Sequence, residues 1–128
     1  MYVNGYIIPV PEKKKEVFIA AMKVFVEVAK DFGAIEIFEN WELEVPDGET
    51  TDYRKAVKAL PGEKIVFSWV VWPNRETGAV AHRGMWTDPR MESIEEMPID
   101  SNRMILGGFE PLLAYRGASA AFRGESDF

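Results

Sequence analysis

The sequence predicts an α+β fold, and three observations support this prediction. The segment Glu63–Trp72 is dense in β-branched and aromatic residues and lies between Pro61 and Pro73, which is typical of a central strand. Residues 11–32 repeat apolar side chains at helical spacing. Along the whole chain the order of elements is strand, helix, strand, strand, helix, strand. This order is that of a ferredoxin-like β-α-β-β-α-β sandwich.

Composition narrows the classes of function. With 128 residues the chain has the size of one domain, and its hydrophobic content of 47% is enough for a packed core. A net charge of −6 disfavours a nucleic-acid partner, because phosphate backbones attract basic surfaces. There is no cysteine, which excludes disulfides and thiolate sites for metals. We therefore predict neither a metal nor a cofactor.

The sequence also predicts a cytoplasmic protein without a membrane partner. Residues 1–11 lack the basic and apolar regions of a secretory signal. No apolar run approaches the length of about 20 residues that a membrane-spanning helix needs.

The first strand and the first helix follow from residues 2–9 and 11–32. Gly5, inside the strand, predicts a bulge or the close approach of another group. Pro11 suits the first turn of the helix, and Gly33 is a natural left-handed end to it. The predicted buried stripe of the helix is Val17, Ala21, Val24 (with Phe25), Val28 and Phe32, and Phe18, Met22 and Ala29 widen it.

Residues 34–43 alternate in the manner of a second strand, and Glu39 interrupts the more apolar of its two faces. The long connection that follows contains a short helical pattern at residues 53–60, preceded by Thr51-Asp52 as a cap. The Glu63–Trp72 strand comes next.

The C-terminal half is less regular. Residues 75–85 predict the second packing helix. Residues 91–101 predict a loop, with one helical turn around residues 93–96. Residues 103–113 predict the last strand, broken by Gly107-Gly108, where we prefer a bulge that allows close backbone approach.

We assign residues 1–113 to a single domain and residues 114–128 to a C-terminal tail, because the segment after residue 113 is dominated by small and polar residues.

The central strand also predicts self-association. One face would carry Ile65, Phe67, Trp69 and Val71, and the other Val66, Ser68, Val70 and Trp72. Two helices cover only one face of a four-stranded sheet, and a large aromatic surface in water is unusual for a monomer. We therefore expect a homodimer that packs sheet against sheet as a dimeric α+β barrel.

Four segments of the sequence resemble one known family. They are Tyr2-Val3-Asn4-Gly5-Tyr6 with Pro9-Val10-Pro11, Gly33-Ala34 leading to Glu39, Val66-Phe67-Ser68-Trp69, and Asp88-Pro89-Arg90-Met91 with Arg103-Met104-Ile105-Leu106-Gly107-Gly108-Phe109-Glu110. Together they resemble the YbaA-like family of uncharacterised bacterial proteins, in the dimeric α+β barrel superfamily. The resemblance covers residues 2–113 and implies the ferredoxin-like dimer. It implies no activity. The Glu42-Leu43-Glu44 segment and the tail depart from the family's pattern.

Glu39 and His82 are the candidate catalytic residues. A carboxylate on an apolar strand face is costly unless it pairs with a cation or its pKa rises, and a raised pKa suits an acid or base. Arg75, Arg90 and Arg103 are the candidate partners of Glu39. A structural ion pair or a solvated strand end is the simpler interpretation of Glu39, and a partly exposed helix histidine is the simpler one of His82.

The candidate ligand-binding residues are Tyr6, Trp69, Arg75, Trp86, Arg90 and Arg103. The aromatic side chains could line an apolar pocket, although such residues are more often core or dimer interface. The arginines could hold an anionic group, although anchoring of loops to Asp88, Asp100 or Glu110 is the simpler role.

Two functions remain open on the sequence alone. In the first, the dimer binds or transforms a small, partly apolar molecule, with Glu39 or His82 moving a proton. In the second, the protein is a non-catalytic dimerisation or accessory protein without a ligand. A buried carboxylate that faces a pocket would favour the first, and a core in which every polar group is paired would favour the second.

Overall fold

Four strands and four α-helices make up the part of the chain that the computed structural model describes, residues 1–117. In chain order they are β1 (Tyr2–Pro11), α1 (Lys15–Asp31), β2 (Glu36–Trp41), α2 (Tyr53–Ala56), β3 (Glu63–Trp72), α3 (Arg75–Gly84), α4 (Pro89–Glu92) and β4 (Ile105–Phe109). The strands form one antiparallel sheet in the order β2-β3-β1-β4. The predicted α+β class is confirmed.

One face of the sheet and the helices enclose the core. Helix α1 buries Phe18, Ala21, Met22, Val28 and Ala29. All five belong to the predicted stripe: Ala21 and Val28 to its centre, and Phe18, Met22 and Ala29 to its wider part. Val17, Val24 and Phe32 of the same stripe are partly buried. The side of α1 that was predicted to be buried therefore faces the sheet.

The core consists of two apolar clusters along the sheet. The first cluster contains Val70 and Trp72 of β3 together with Val28, Ala29, Ala81, Met85 and Met91. The second contains Ile8 and Val10 of β1 and Val66 of β3 together with Phe18, Ala21 and Met22. Between the β3 residues of the two clusters lies Ser68, which is also buried.

The opposite face of the sheet, which we call the open face, is rich in exposed aromatic side chains. Phe67 is 43% exposed and Phe109 is 59% exposed. The ring of Trp69 stacks on Phe38 with 4.9 Å between centroids and meets Phe67 edge-on at 5.5 Å. Tyr53 of α2 adds a further ring 6.2 Å from Phe67, so an aromatic series crosses this face.

The predicted close approach is confirmed at Gly5, but the bulge preferred at Gly107-Gly108 is wrong, because β1 and β4 pair residue for residue through both glycines and side-chain rings approach them. Gly5 and Gly107 are paired across β1 and β4 on the open face, and a Cβ at either would lie 3.3–3.4 Å from the Phe109 ring. On the helix side, a Cβ at Gly108 would overlap the Tyr2 hydroxyl. The three glycines thus leave room for two aromatic rings where β1 and β4 pair.

Several element boundaries differ from the predictions. Pro11 ends β1, and a 3₁₀ turn (Glu12–Lys14) precedes α1. Helix α2 stops at Ala56, and Lys58 then adopts a left-handed conformation with φ +52°. Strand β4 covers only Ile105–Phe109, since residues 101–103 form a turn closed by the Arg103 and Met104 amides on the Asp100 carbonyl.

The helical turn predicted around residues 93–96 is wrong. It lies earlier, in α4, because Asp88 caps the helix by accepting a hydrogen bond from the Arg90 amide at 2.8 Å. Pro89 then occupies the first turn, where its missing N–H costs nothing.

The predicted tail falls mostly outside the described residues. Residues 114–117 have no regular secondary structure, and residues 118–128 are not among those described. Within residues 1–117, the helices lack the combination of length and apolarity needed to cross a bilayer.

Candidate functional site

Three polar residues form a row across the helix-facing side of the sheet. Glu39 of β2 lies opposite Ser68 of β3, and Ser68 lies opposite Tyr6 of β1. The three residues point to the same face because paired residues in neighbouring strands share a side of the sheet. We call Glu39, Ser68 and Tyr6 the polar row.

The polar row runs between the two apolar clusters. Val66, on one side of Ser68, belongs to the second cluster, and Val70, on the other side, belongs to the first. Phe25 of α1 and Ile94 and Met97 of the connection after α4 pack against both clusters. These three side chains therefore connect the two clusters between which the row runs.

Glu39 is the unusual member of the row. Its Oε1 atom is buried and has no hydrogen-bond partner among the described residues. Burial raises the pKa of Glu39 from an ordinary 4.5 to about 7, and a hydrogen bond from the Ser68 hydroxyl opposes this effect without cancelling it. A carboxyl group with this pKa is near the midpoint of its titration at neutral pH, so it can both give and take a proton.

Tyr6 supplies a neutral donor beside this carboxyl group. Burial, followed by the negative charge of Glu39, raises the pKa of Tyr6 to about 12. Its hydroxyl therefore stays protonated at neutral pH and can donate a hydrogen bond to an acceptor.

A second polar pair adjoins the row. The Trp72 Nε1 atom donates to Asn4 Oδ1 at 2.8 Å, and both residues are buried. Asn4 and Ser68 were not among the predicted functional residues. The available signal was a polar residue in an otherwise apolar strand face, the same signal that marked Glu39.

Strand β4 leaves one side of the row open. Leu106 lies opposite Tyr6 on the helix-facing side but is 58% exposed. The helices therefore do not cover β4 at this point, and Tyr6 itself is only partly buried.

The structure brings Glu39 and Tyr6 together but separates them from the other predicted aromatic residues. Trp69 lies on the open face, where its Nε1 atom donates to Glu36 Oε2 at 2.8 Å. His82 is exposed on α3, and Trp86 is 61% exposed in the 3₁₀ turn that follows. His82 therefore fits the simpler interpretation, an exposed helix histidine.

The predicted arginines also lie away from the row. Arg90 donates to Asp88 at 3.0 Å and to Asp31 at 2.6 Å. Arg103 donates to both carboxylate oxygens of Glu63, at 2.7 and 2.8 Å, and to Asp100 at 2.8 Å. The simpler role, anchoring of loops to Asp88 and Asp100, is confirmed for these two arginines.

Arg75 lines a surface hollow of about 570 Å³ with Met1, Tyr2 and Glu110. None of the three predicted arginines is an ion-pair partner of Glu39 among the described residues.

A larger hollow of about 780 Å³ occupies the open face. It lies over Gly5 between the aromatic residues of β3 and β4, and its lining includes Val3, Trp69, Val71 and Phe109. At its rim, Glu36 accepts hydrogen bonds from Trp69 and from Arg116. This hollow is mainly apolar and is separated from the polar row by the sheet.

Neither region has the ligands of a metal centre. Among residues 1–117, no group of three or more histidine, aspartate or glutamate side chains is arranged to hold a metal ion. The chemistry that the site itself offers is therefore proton transfer and hydrogen bonding by Glu39, Ser68 and Tyr6.

Comparisons with known proteins agree with the resemblance noted in the sequence. Residues 1–101 match a family model described as "Protein of unknown function (DUF1428)". The protein named "Uncharacterized protein YbaA" of Escherichia coli (strain K12) is 43% identical over 113 residues, which cover 88% of this chain and 97% of that protein. The proteins of the same name in Escherichia coli O157:H7 and Shigella flexneri match equally well. The chain therefore belongs to this YbaA-like family of proteins of unknown function.

Proposed function

We propose that this protein binds a small, partly apolar molecule at the polar row and transfers a proton to or from it through Glu39. The observation that carries the proposal is the buried Oε1 atom of Glu39, which has no partner among the described residues. Leaving a buried polar atom unpaired costs free energy, so such an atom in a native fold calls for a reason, and a ligand group that completes its hydrogen bonding is one.

The pKa of Glu39 supports the same proposal. At about 7 it lies close to neutral pH, where a general acid or base is most effective. Perturbed carboxyl groups also occur in purely structural networks, but those networks pair the carboxylate with a cation. Here the recorded influences on Glu39 are burial and the Ser68 hydroxyl.

We further propose that the protein works as a cytoplasmic homodimer of ferredoxin-like subunits, a dimeric α+β barrel. The order β2-β3-β1-β4 with antiparallel pairing supports the ferredoxin-like assignment. The exposed aromatic series on the open face supports the dimer, because a second copy packed against it would remove Phe67 and Phe109 from water.

The alternative function is a non-catalytic dimerisation or accessory protein. The open face favours this alternative, since its rings and its 780 Å³ hollow could serve assembly alone. In that case Glu39 would be a structural group whose unpaired oxygen has no ligand.

Native mass spectrometry of gently purified protein, followed by identification of any released molecule after denaturation, tests the two functions. The proposal expects a dimer that carries a small molecule at a fixed ratio, and it expects Glu39→Gln to lower the occupancy. An empty dimer in both proteins supports the accessory function. An empty monomer contradicts the dimer as well.

A further inference from the structure

We infer that residues 110–117 form an arm whose outward side packs against a second copy of this chain in the dimer. This inference rests on the homodimer proposed above and extends its interface beyond the open face of the sheet. It follows from the course of the arm, from the exposure of three of its side chains and from the charges of the surface beside it.

The arm crosses the open face from one edge of the sheet to the other. It begins after Phe109 of β4, and Arg116 near its end donates to Glu36 of β2 at 3.3 Å. Strands β4 and β2 are the two edges of the sheet, so the arm passes over β1 and β3. Four neighbouring strands span about 14 Å, and about seven extended residues reach ~23 Å, so the arm is long enough to cross.

One side of the arm faces its own sheet. Pro111, Ala114 and Arg116 line the hollow of about 780 Å³ on the open face. The ion pair between Arg116 and Glu36 is partly exposed to water, so it contributes little to stability by itself. The arm therefore lies over the hollow and turns its other side away from the subunit.

This outward side of the arm is apolar and uncovered. Leu112 is 95% exposed, Leu113 is 93% exposed and Tyr115 is 92% exposed. A single exposed apolar side chain is ordinary, but these three lie close together beside the aromatic series of the open face and continue its apolar surface. Burial in an interface would stabilise all three, because it removes their apolar surface from water.

The charges on the open face fit a second copy of the same chain. Among the strand residues that the structure describes on this face, the charged ones are Glu36 and, at the far end, Glu63. Arg116 pairs with Glu36, and Arg103 pairs with Glu63 at 2.7 Å. The strand residues of the face are therefore neutralised by arginines, although the chain carries a net charge of −6. Two such faces can meet without repulsion between like charges.

The size of the surface favours a second copy over the chain's own C-terminal residues as its cover. The four strands present a face on the order of 500 Å². With the arm added, this area approaches the roughly 800 Å² per partner that is typical of a specific interface. Residues 118–128 contain Phe122 and Phe128 as their large apolar side chains, too few to cover both face and arm. A second copy covers both in one two-fold interface.

Introduced thiols test the contact directly, because the chain has no cysteine of its own. Leu113→Cys places a thiol on the arm, and Leu43→Cys places the control thiol beyond the end of β2, where the leucine is 97% exposed. In protein dilute enough to sediment as a monomer, both thiols should react equally fast with dithionitrobenzoate. In the dimer, the thiol at position 113 should react about tenfold more slowly, because an apolar interface keeps it protonated and excludes the reagent. The thiol at position 43 should react at the same rate in both states.

A double variant, Leu112→Ser with Leu113→Ser, measures what the arm contributes to affinity. Both side chains are almost fully exposed in one subunit, so the change should leave its fold intact, which circular dichroism checks. We expect the dissociation constant of the dimer, measured by sedimentation, to rise about 100-fold, because two leucines leave the interface in each subunit. Leu43→Ser is the matched control and should dissociate as the unaltered protein does.

The outcomes separate the arm contact from the dimer on which it rests. A dimer in which the thiol at position 113 reacts as fast as the thiol at position 43 would overturn the inference and leave the dimer. Protection of position 113 that persists in the monomer would also overturn it, since residues of the same chain would then cover the arm. Equal dissociation constants in the double variant and in Leu43→Ser would do the same. An unaltered protein that stays monomeric at micromolar concentration would contradict the dimer together with the inference.

Discussion

Ser68 on β3 lies directly opposite Glu39 on β2, and its hydroxyl group lowers the pKa of the Glu39 carboxyl group, against the larger effect of burial. The buried Oε1 atom of this carboxyl group has no hydrogen-bond partner among the described residues. The charge of Glu39 is therefore only partly stabilised inside the core. A single buried group of this kind links folding stability to pH.

The first prediction concerns that link. The pKa of Glu39 is about 7 in the folded protein and about 4.5 when the chain is unfolded. The folded state thus binds the proton of Glu39 more tightly than the unfolded chain does. The stabilisation that results is fully present below pH 4.5. It falls as the pH rises and is lost once the pH has passed through about 7. The shift corresponds to at most about 3 kcal/mol.

Urea unfolding at pH 5 and pH 8 measures this contribution. We expect the free energy of unfolding to be lower at pH 8 than at pH 5. In Glu39→Gln this difference should be smaller, because the variant lacks the titrating carboxyl group. Glu44→Gln, which alters an exposed residue in the connection after β2, is the control and should behave like the unaltered protein. Equal pH dependence in all three proteins would show that Glu39 does not titrate as described.

The second prediction concerns the buried pair Asn4 and Trp72. Replacing Asn4 by Ala leaves the Trp72 Nε1 donor buried without its acceptor, which costs about 1–3 kcal/mol. Asn40→Ala is the matched control, because the Asn40 side chain donates to the Phe67 carbonyl at 3.0 Å in an exposed position. Urea unfolding should show a clearly larger loss for Asn4→Ala. Equal losses would mean that the Trp72 donor finds water or another acceptor.

The local patterns of the sequence were sufficient to predict the fold class and to identify Glu39 as a carboxylate on an apolar strand face. Strand alternation places every second residue on one face, so a carboxylate among apolar residues at those positions is visible without a structure. Close approach at the glycines was also predictable, because a glycine within a strand leaves room for a neighbouring group. The side chains of Phe109 and Tyr2 occupy that room.

The partners of Glu39 could not be predicted in the same way. Ser68 and Tyr6 meet it only through the register of two strand pairings between residues distant in sequence, and that register depends on the packing of the whole sheet. The same limit applies to the arginines. Nothing local in the sequence indicates that Arg103 would pair with Glu63, forty residues away, rather than with Glu39.

The third prediction compares two arginines with different surroundings. Arg103 holds Glu63, which is buried at the start of β3, whereas Arg90 joins the exposed Asp31 and the partly buried Asp88 near α4. Arg103→Ala leaves a carboxylate buried without its cation, so it should lower the melting temperature more than Arg90→Ala does. Differential scanning calorimetry measures both. Because contact with Arg103 lowers the pKa of Glu63, the gap between the two variants should narrow in acid, as Glu63 becomes protonated.

The fourth prediction tests the open face as the dimer interface. Phe67 on this face is 43% exposed and Val80 on α3 is 45% exposed, so the two positions meet water to a similar extent in one subunit. Phe67→Glu should shift the protein from dimer to monomer at micromolar concentration, because a second copy would have to bury the new charge. Val80→Glu should leave the dimer intact. Sedimentation velocity distinguishes the two states. A monomer in the unaltered protein would contradict the dimer. A dimer that survives Phe67→Glu but not Val80→Glu would place the interface elsewhere.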